Sequence, residues 1–359
     1  MARIDAYLKA MLAQSASDLH LVSGNLPIMR VHGEMKKLKA DILTNEGLSG
    51  LLREITSEEK WAVFMETGDL DFAYELPEIA RFRVNFFKQK NGAGAVFRLI
   101  PSKIASCEDL GIPEAVKNLA RLRKGLVLVT GPTGSGKSTT LAAIVEYANE
   151  IRKDNIITIE DPIEFVHPSN NCLISHREVG QHTKSFATAL RAALREDPDI
   201  ILVGEMRDKE TIALAIEAAA TGHLVFGTLH TQNAAKTVDR VIEVFKAEEQ
   251  PQVRSTLSDS LKAVVAQNLL KRVDKPGRIA ALEVMIVTAA ISNLIREGKT
   301  YQIPSAIQTG KRQGMQTLEG ALCELLDKKI IDPEEAYDKA VNKEVVLKYL
   351  KTPPPEALR

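Results

Sequence analysis

The residues best suited to chemistry form one run, Gly131-Pro132-Thr133-Gly134-Ser135-Gly136-Lys137-Ser138, followed by Thr139. The run matches the G-x-x-x-x-G-K-[ST] pattern in full. Its glycines let backbone N–H groups close around phosphate oxygens with no Cβ in the way. A helix starting here adds the partial positive charge of its N-terminus. Lys137 suits the β- and γ-phosphates, and the Ser138 hydroxyl suits Mg²⁺. A glycine-rich turn without a ligand would match the pattern in roughly one chain in a hundred of this length. The apolar strand Leu126 to Thr130 before the run and the helix Thr139 to Glu150 after it make that accident rarer. The expectation is a site for ATP with Mg²⁺.

Two acidic groups end apolar runs: Glu160-Asp161 after NIITI, and Glu205 after DIILVG. Ligands bind where parallel strands end, so both groups should face the cleft of the glycine-rich loop. Hydrolysis needs one group to orient and deprotonate the attacking water and another to hold the metal's water shell. A P-loop ATPase commonly ends the second of these strands in Asp-Glu, whereas this chain has Gly204-Glu205. Without an Asp to touch the metal, Glu205 is expected to act on Mg²⁺ through water. Glu160 is then the better candidate for general base, and the reverse division stays open.

His223 and His230 bracket LVFGTLH. At ~3.3 Å per residue, a strand would hold them about 23 Å apart, so they cannot both touch one phosphate. His230, at the C-terminal end, is the candidate γ-phosphate sensor, and His223 is expected to be structural or interfacial. Arg81, Arg83 and Arg98 fall on expected strands of the first part of the chain. If that part packs over a neighbouring subunit's nucleotide, Arg83 and Arg98 could bring charge to the γ-phosphate; otherwise they are solvated charges.

Positioning these groups takes two kinds of architecture. Ile4, Tyr7, Leu8, Met11 and Leu12 share a helical face. After them DLHLVSG, PIMRVHGEM, DLDFAYEL, ARFRVNFFKQ and AGAVFRLI alternate as antiparallel strands do, with a helix around Leu48 to Phe64 packed on the sheet. This first domain is expected over 1–100, and PSKIASCEDLGIP opens a linker over 101–118. From 119 to 359, the runs GLVLVTG, NIITIED, DIILVGE and HLVFGTLH alternate with helical stretches, which predicts a parallel sheet covered on both faces. Leu257, Leu261, Val264, Val265 and Leu269, and later Leu318, Ala321, Leu322, Leu325 and Leu326, predict a helical C-terminal part. The tail TPPPEALR should be loose.

Bulk properties exclude several classes. With 359 residues, two domains are the default. Lys+Arg and Asp+Glu are both 47, and aromatics are 5%, which counts against a nucleic-acid channel with its basic groove and stacking rings. Cys107, Cys172 and Cys323 make no CxxC pair, so no zinc knuckle is readable and a reducing compartment fits. The N-terminal MARIDAYLKAMLAQ lacks an apolar signal core, and no run approaches the ~18 apolar residues of a membrane span. A cytoplasmic protein is expected.

GPTGSGKSTT, TIEDPIEF, LREDPDIILVGEMRD and TGHLVFGTLHT, in this order and spacing, resemble the type II/type IV secretion ATPase superfamily. ASDLHL, ARFRVN and GAGAVFR make the chain most similar to the type IV pilus retraction ATPases, over about Ala16 to Leu318. The resemblance implies an α/β protein: a PAS-like α+β domain, then a RecA-like P-loop domain with a helical C-terminal part. It implies a homohexamer with nucleotide between subunits, powering pilus retraction from the cytoplasmic side of the inner membrane. Its implied partners are an inner-membrane platform protein and a paralogous retraction ATPase. Glu160-Asp161 stand in that family's Asp box and His223 and His230 in its His box. The longer N-terminal region and zinc element of pilus-extension ATPases are missing from this sequence. One departure is Ser292 in Ala290-Ile291-Ser292-Asn293-Leu294-Ile295-Arg296-Glu297, where the family's AIRNLIRE-like motif has arginine.

Overall fold

A computed structural model of the chain describes residues 2–352 apart from 32, 78, 101–103 and 351. Beyond Thr352 the expected loose tail lies outside the described residues. The chain divides into two compact units, 1–103 with 162–165, and 104–161 with 166–359.

The first unit opens with helix α1 (Asp5–Ala13), whose Leu8 and Met11 are buried as its apolar periodicity requires. Strands β1 (Ala16–Val22), β2 (Ile28–Val31), β3 (Glu34–Lys37), β4 (Asp69–Leu76), β5 (Ala80–Gln89) and β6 (Gly92–Ile100) form one antiparallel sheet in the order β3-β2-β1-β6-β5-β4. Alternate residues such as Leu19, Leu21, Phe82, Val84, Phe86, Ala95 and Phe97 build the core on one face. The other face carries Asp18, Arg83 and Arg98. PIMRVHGEM, read as one strand, is the β2–β3 pair. The single helix expected around Leu48 to Phe64 is two, α2 (Asn45–Arg53) and α3 (Glu58–Thr67). Ser57 breaks it: its backbone is extended and its side chain caps the Lys60 N–H.

The second unit begins earlier than the composition change implied. From Ile104 the supposed linker belongs to this unit, and Cys107, Val116 of helix α4 (Glu114–Lys117) and Leu119 are buried in its core. These scattered apolar residues coat the sheet without a period that sequence reading could detect. The sheet comprises β7 (Gly125–Thr130), β8 (Asn155–Glu160), β9 (Leu173–Glu178), β10 (Ile200–Val203), β11 (Leu224–Leu229), β12 (Leu261–Lys271) and β13 (Arg278–Ile286), ordered β13-β12-β7-β11-β10-β8-β9. Every neighbouring pair is parallel except the β12–β13 hairpin. Leu126, Leu128, Ile157, Ile159, Ile201 and Val203 face one core, and Val127, Val129, Ile156, Ile200 and Leu202 the other. Both faces being covered explains the continuous apolar runs.

Helices α5 (Lys137–Ile151), α6 (Phe186–Ala193), α7 (Lys209–Thr221), α8 (Ala234–Glu243), α9 (Gln250–Ser260) and α10 (Ala289–Arg296) cover the sheet, and short helices follow between Ile303 and Leu347. The helical reading of Leu257 to Leu269 is overturned. Helix α9 stops at Ser260, and Leu261 onward is strand β12 beside β7. A continuous apolar run suits either state, and pairing with the exposed edge of β7 decides it. Within α10, Ser292 donates its hydroxyl to the Ser258 carbonyl at 2.7 Å, and Arg296 pairs with Asp259 at 2.8 Å. The serine thus fastens α10 to the end of α9, with Ile291 and Ile295 buried beneath. No described helix is long and apolar enough to cross a membrane.

Candidate active site

Strand β7 lies inside the sheet, between β11 and β12, and delivers the chain into the loop 131–136 before α5. Gly131 has φ +141°, and a Cβ there would lie 2.3 Å from the Gln267 carbonyl oxygen. Gly136, the N-cap of α5, has φ +86°, and its Cβ would lie 2.9 Å from Gln267 Nε2. Both positions therefore demand glycine by conformation and by space. Pro132, Thr133 and Gly134 are exposed at the tip, and Ser138 and Thr139 are half-buried in the first turn of α5. Lys137 Nζ donates to the Gly131 and Pro132 carbonyls at 2.9 and 3.1 Å, which holds the ammonium over the loop. Ser135 Oγ is buried and has no hydrogen-bond partner among the described residues. Leaving such a group unpaired costs about 1–3 kcal/mol, which an acceptor in the loop would recover. An uncapped helix N-terminus, an ammonium and an unpaired hydroxyl around a glycine turn fit the phosphates of a nucleotide.

Gln267 is a support that sequence reading missed. From β12, 2% exposed, it donates Nε2 to the Ser135 carbonyl at 2.6 Å and accepts from Thr140 Oγ1 at 2.7 Å. It thereby ties the loop to the first turn of α5. The signal was the polar pair Gln267-Asn268 interrupting the apolar residues of LKAVVAQNLL, which means little until the run is read as a buried strand.

The carboxylates come from β8 and its neighbour β10, whose C-terminal ends are in register at Ile159 and Val203. Gly204 donates its N–H to the Ile159 carbonyl at 2.8 Å. A Cβ at 204 would sit 3.2 Å from that oxygen and 3.3 Å from Glu160 Cα. The two strand ends thus approach closely, and a side chain at 204 would have to push Ile159 and Glu160 back by a few tenths of an ångström. Glu205 Oε1 accepts from His230 Nε2 at 2.7 Å, and Oε2 accepts from Arg207 at 2.6 Å. Burial pushes the Glu205 carboxyl up, but the hydrogen bonds from Arg207 and His230 outweigh it and hold the group below its ordinary value. Glu205 is therefore an ionised acceptor at neutral pH. Arg207, raised in turn by Glu205, is a second residue that sequence reading passed over in GEMRD.

Glu160 closes β8 with its side chain 13% exposed, and Asp161 is exposed beside it. His230 follows β11 on the cleft side. His223 precedes the same strand at its far end, where Nδ1 and the backbone N–H both meet the Ala218 carbonyl at the close of α7, at 3.0 and 3.1 Å. The second unit thus gathers the loop, Glu160, Glu205 and His230 at one set of strand ends, with His223 at the other.

Arg83 and Arg98 belong to the first unit, directly opposite one another on β5 and β6. Arg98 Nε reaches Asp18 Oδ1 at 2.8 Å. Burial pushes the Asp18 carboxyl up, but Arg98 and Ser17 hold it below its ordinary value. Arg83 is exposed.

The chain matches the family described as type II/IV secretion system protein over residues 1–317. It is 55% identical to the type IV pilus retraction ATPase PilT of Pseudomonas aeruginosa over 91% of this chain and 95% of that one. It is 52% identical to a twitching motility protein of Neisseria gonorrhoeae over 89% and 85%. A crystal structure of the pilus retraction motor PilT with bound ADP superposes with a TM-score of 0.89 at 42% identity, covering 96% and 98%. This chain belongs to the type II/IV secretion system protein family, and within it is an ATPase of the pilus-retraction kind.

Proposed function

We propose that the chain works as a homohexameric ring that hydrolyses Mg²⁺-ATP at a site completed by a neighbouring copy, and that it couples this turnover to removal of subunits from a pilus. Gly131 to Thr139 would hold the phosphates. Ser138 would hold the metal directly and Glu205 through water, and the ion would neutralise charge developing on the β- and γ-oxygens. Glu160 would take the proton of the attacking water. His230, fixed by Glu205, would report on the γ-phosphate. Working partners would be a platform protein at the cytoplasmic face of the inner membrane and a paralogous ATPase. No nucleic acid is expected.

The observation that carries the shared site is the arginine pair. Like charges directly opposite on a sheet destabilise it. Asp18 compensates Arg98, leaving Arg83 exposed beside it. A phosphate brought by another copy would relieve the repulsion and receive the charge it needs in the transition state.

A mixing experiment tests this reading. Arg83→Ala and Lys137→Ala should each be nearly inactive alone. Mixed, they should recover turnover at interfaces that pair an intact Arg83 with an intact loop. Mixtures no more active than the sum of their parts would exclude a shared site.

A further inference from the structure

One residue of β12 touches both ends of the phosphate loop. Against the Gln267 carbonyl lies Gly131, and against its side-chain nitrogen lies Gly136, where a Cβ would come within 2.3 and 2.9 Å. The amide can point only one way. A carbonyl oxygen accepts and never donates, so the atom 2.6 Å from the Ser135 carbonyl is the Nε2 donor. Oε1 then takes the Thr140 hydroxyl hydrogen at 2.7 Å. Gln267 is 2% exposed and Ser135 and Thr140 are 3% exposed, so little water competes for either bond. Nothing in the strand itself calls for this amide. Val264, Val265, Ala266 and Leu270 around it are apolar and buried, and a buried polar group costs free energy unless it is bonded.

A trans peptide is planar, with its carbonyl and its N–H pointing in opposite directions. Drawing the Ser135 carbonyl onto Gln267 therefore turns the Gly136 N–H away from β12. Gly136 sits at φ +86°, and glycine turns about φ at little steric cost, so the backbone alone does not hold this peptide. We propose that Gln267 is a positioning residue for nucleotide binding: its amide holds the Ser135–Gly136 peptide so that the Gly136 N–H meets a phosphate oxygen. The proposal rests on the loop being the phosphate cradle. Thr140 holds the amide in turn, so the loop, α5 and β12 are joined in one hydrogen-bonded unit. Gln267 acts through the peptide and touches no phosphate itself.

Equilibrium binding of a fluorescent ATP analogue, with a thermal melt of each sample, tests the assignment. Gln267→Met keeps the bulk of the side chain and removes both bonds. It should weaken binding about ten- to a hundredfold, the share of one hydrogen bond to a charged group. A purely structural role would lower the melting temperature and leave the affinity of the folded protein unchanged, and that result overturns the proposal. Thr140→Val keeps the shape of the side chain without its hydroxyl, whereas Thr140→Ser keeps the hydroxyl without the methyl. The valine variant should bind about three- to tenfold more weakly than the parent, and the serine variant within about twofold of it. Equal affinities in this pair, or weaker binding by the serine variant, would point to packing and overturn the proposal. Should Gln267→Met fail to fold, the Thr140 pair decides alone. Parent-like affinity in Lys137→Ala removes the phosphate cradle and this proposal together. Weak binding by Lys137→Ala beside parent-like binding by Gln267→Met removes this proposal alone.

Discussion

Lys137→Ala is expected to leave a folded chain that no longer binds ATP. Lys137 opens α5, while the anchors of that helix, Leu141, Ile144, Val145 and Ala148, lie further along it in the core. Removing the ammonium therefore takes away charge without unseating the helix. The hydrogen bonds to Gly131 and Pro132 that would be lost are partly exposed and also hold the loop in shape. Charge-assisted contacts contribute about 1.5–3 kcal/mol each, and two to the β- and γ-phosphates would total about 3–6 kcal/mol. That corresponds to roughly a hundred- to ten-thousand-fold in affinity. Titration with a fluorescent ATP analogue, beside a thermal melt, measures both halves of the claim. Parent-like affinity would mean that the loop does not cradle the phosphates.

Glu205→Gln separates binding from cleavage. The carboxylate is held ionised by Arg207 and His230 and makes no bond to the loop residues that grip the phosphates. Glutamine keeps the volume but has one acceptor oxygen where the carboxylate has two. His230 can exchange its donor nitrogen, whereas Arg207 can only donate, so the amide should turn its NH₂ toward the histidine. Nucleotide affinity should change little. Turnover should fall on the order of 10²–10⁴-fold, the range typical of proton transfer and charge placement in such sites. Single-turnover hydrolysis with binding measured on the same preparation is the check. Turnover within a few-fold of the parent would take Glu205 out of the mechanism.

What could be read from residues alone was set by how strongly local pattern and tertiary demand agree. β7, β8, β10 and β11 are apolar on both faces because helices cover the sheet on both sides, and such runs are conspicuous. The glycine loop is equally plain, since only glycine tolerates φ +141° at Gly131 within 2.3 Å of a neighbouring carbonyl. β9 and β12 were hidden for opposite reasons. β9 is an edge strand of mixed polarity, LISHRE, with no period that burial would impose. β12 is so apolar that a helix fits it equally well, and only the free edge of β7 makes it a strand. Gln267, on β12, was lost with it. Gly204 shows the converse: the departure from Asp-Glu is visible in the sequence, but the close approach of Ile159 and Glu160 to that position exists only in three dimensions.

The shared site is tested most directly by ATP turnover per chain across a wide range of protein concentration, with the size of the assembly measured on the same samples. Turnover should be near zero for single chains, rise steeply and level off as hexamers form, because Arg83 and Arg98 would reach the γ-phosphate only from a neighbour. Single chains that hydrolyse ATP at the full rate would contradict the shared site and, with it, the ring motor.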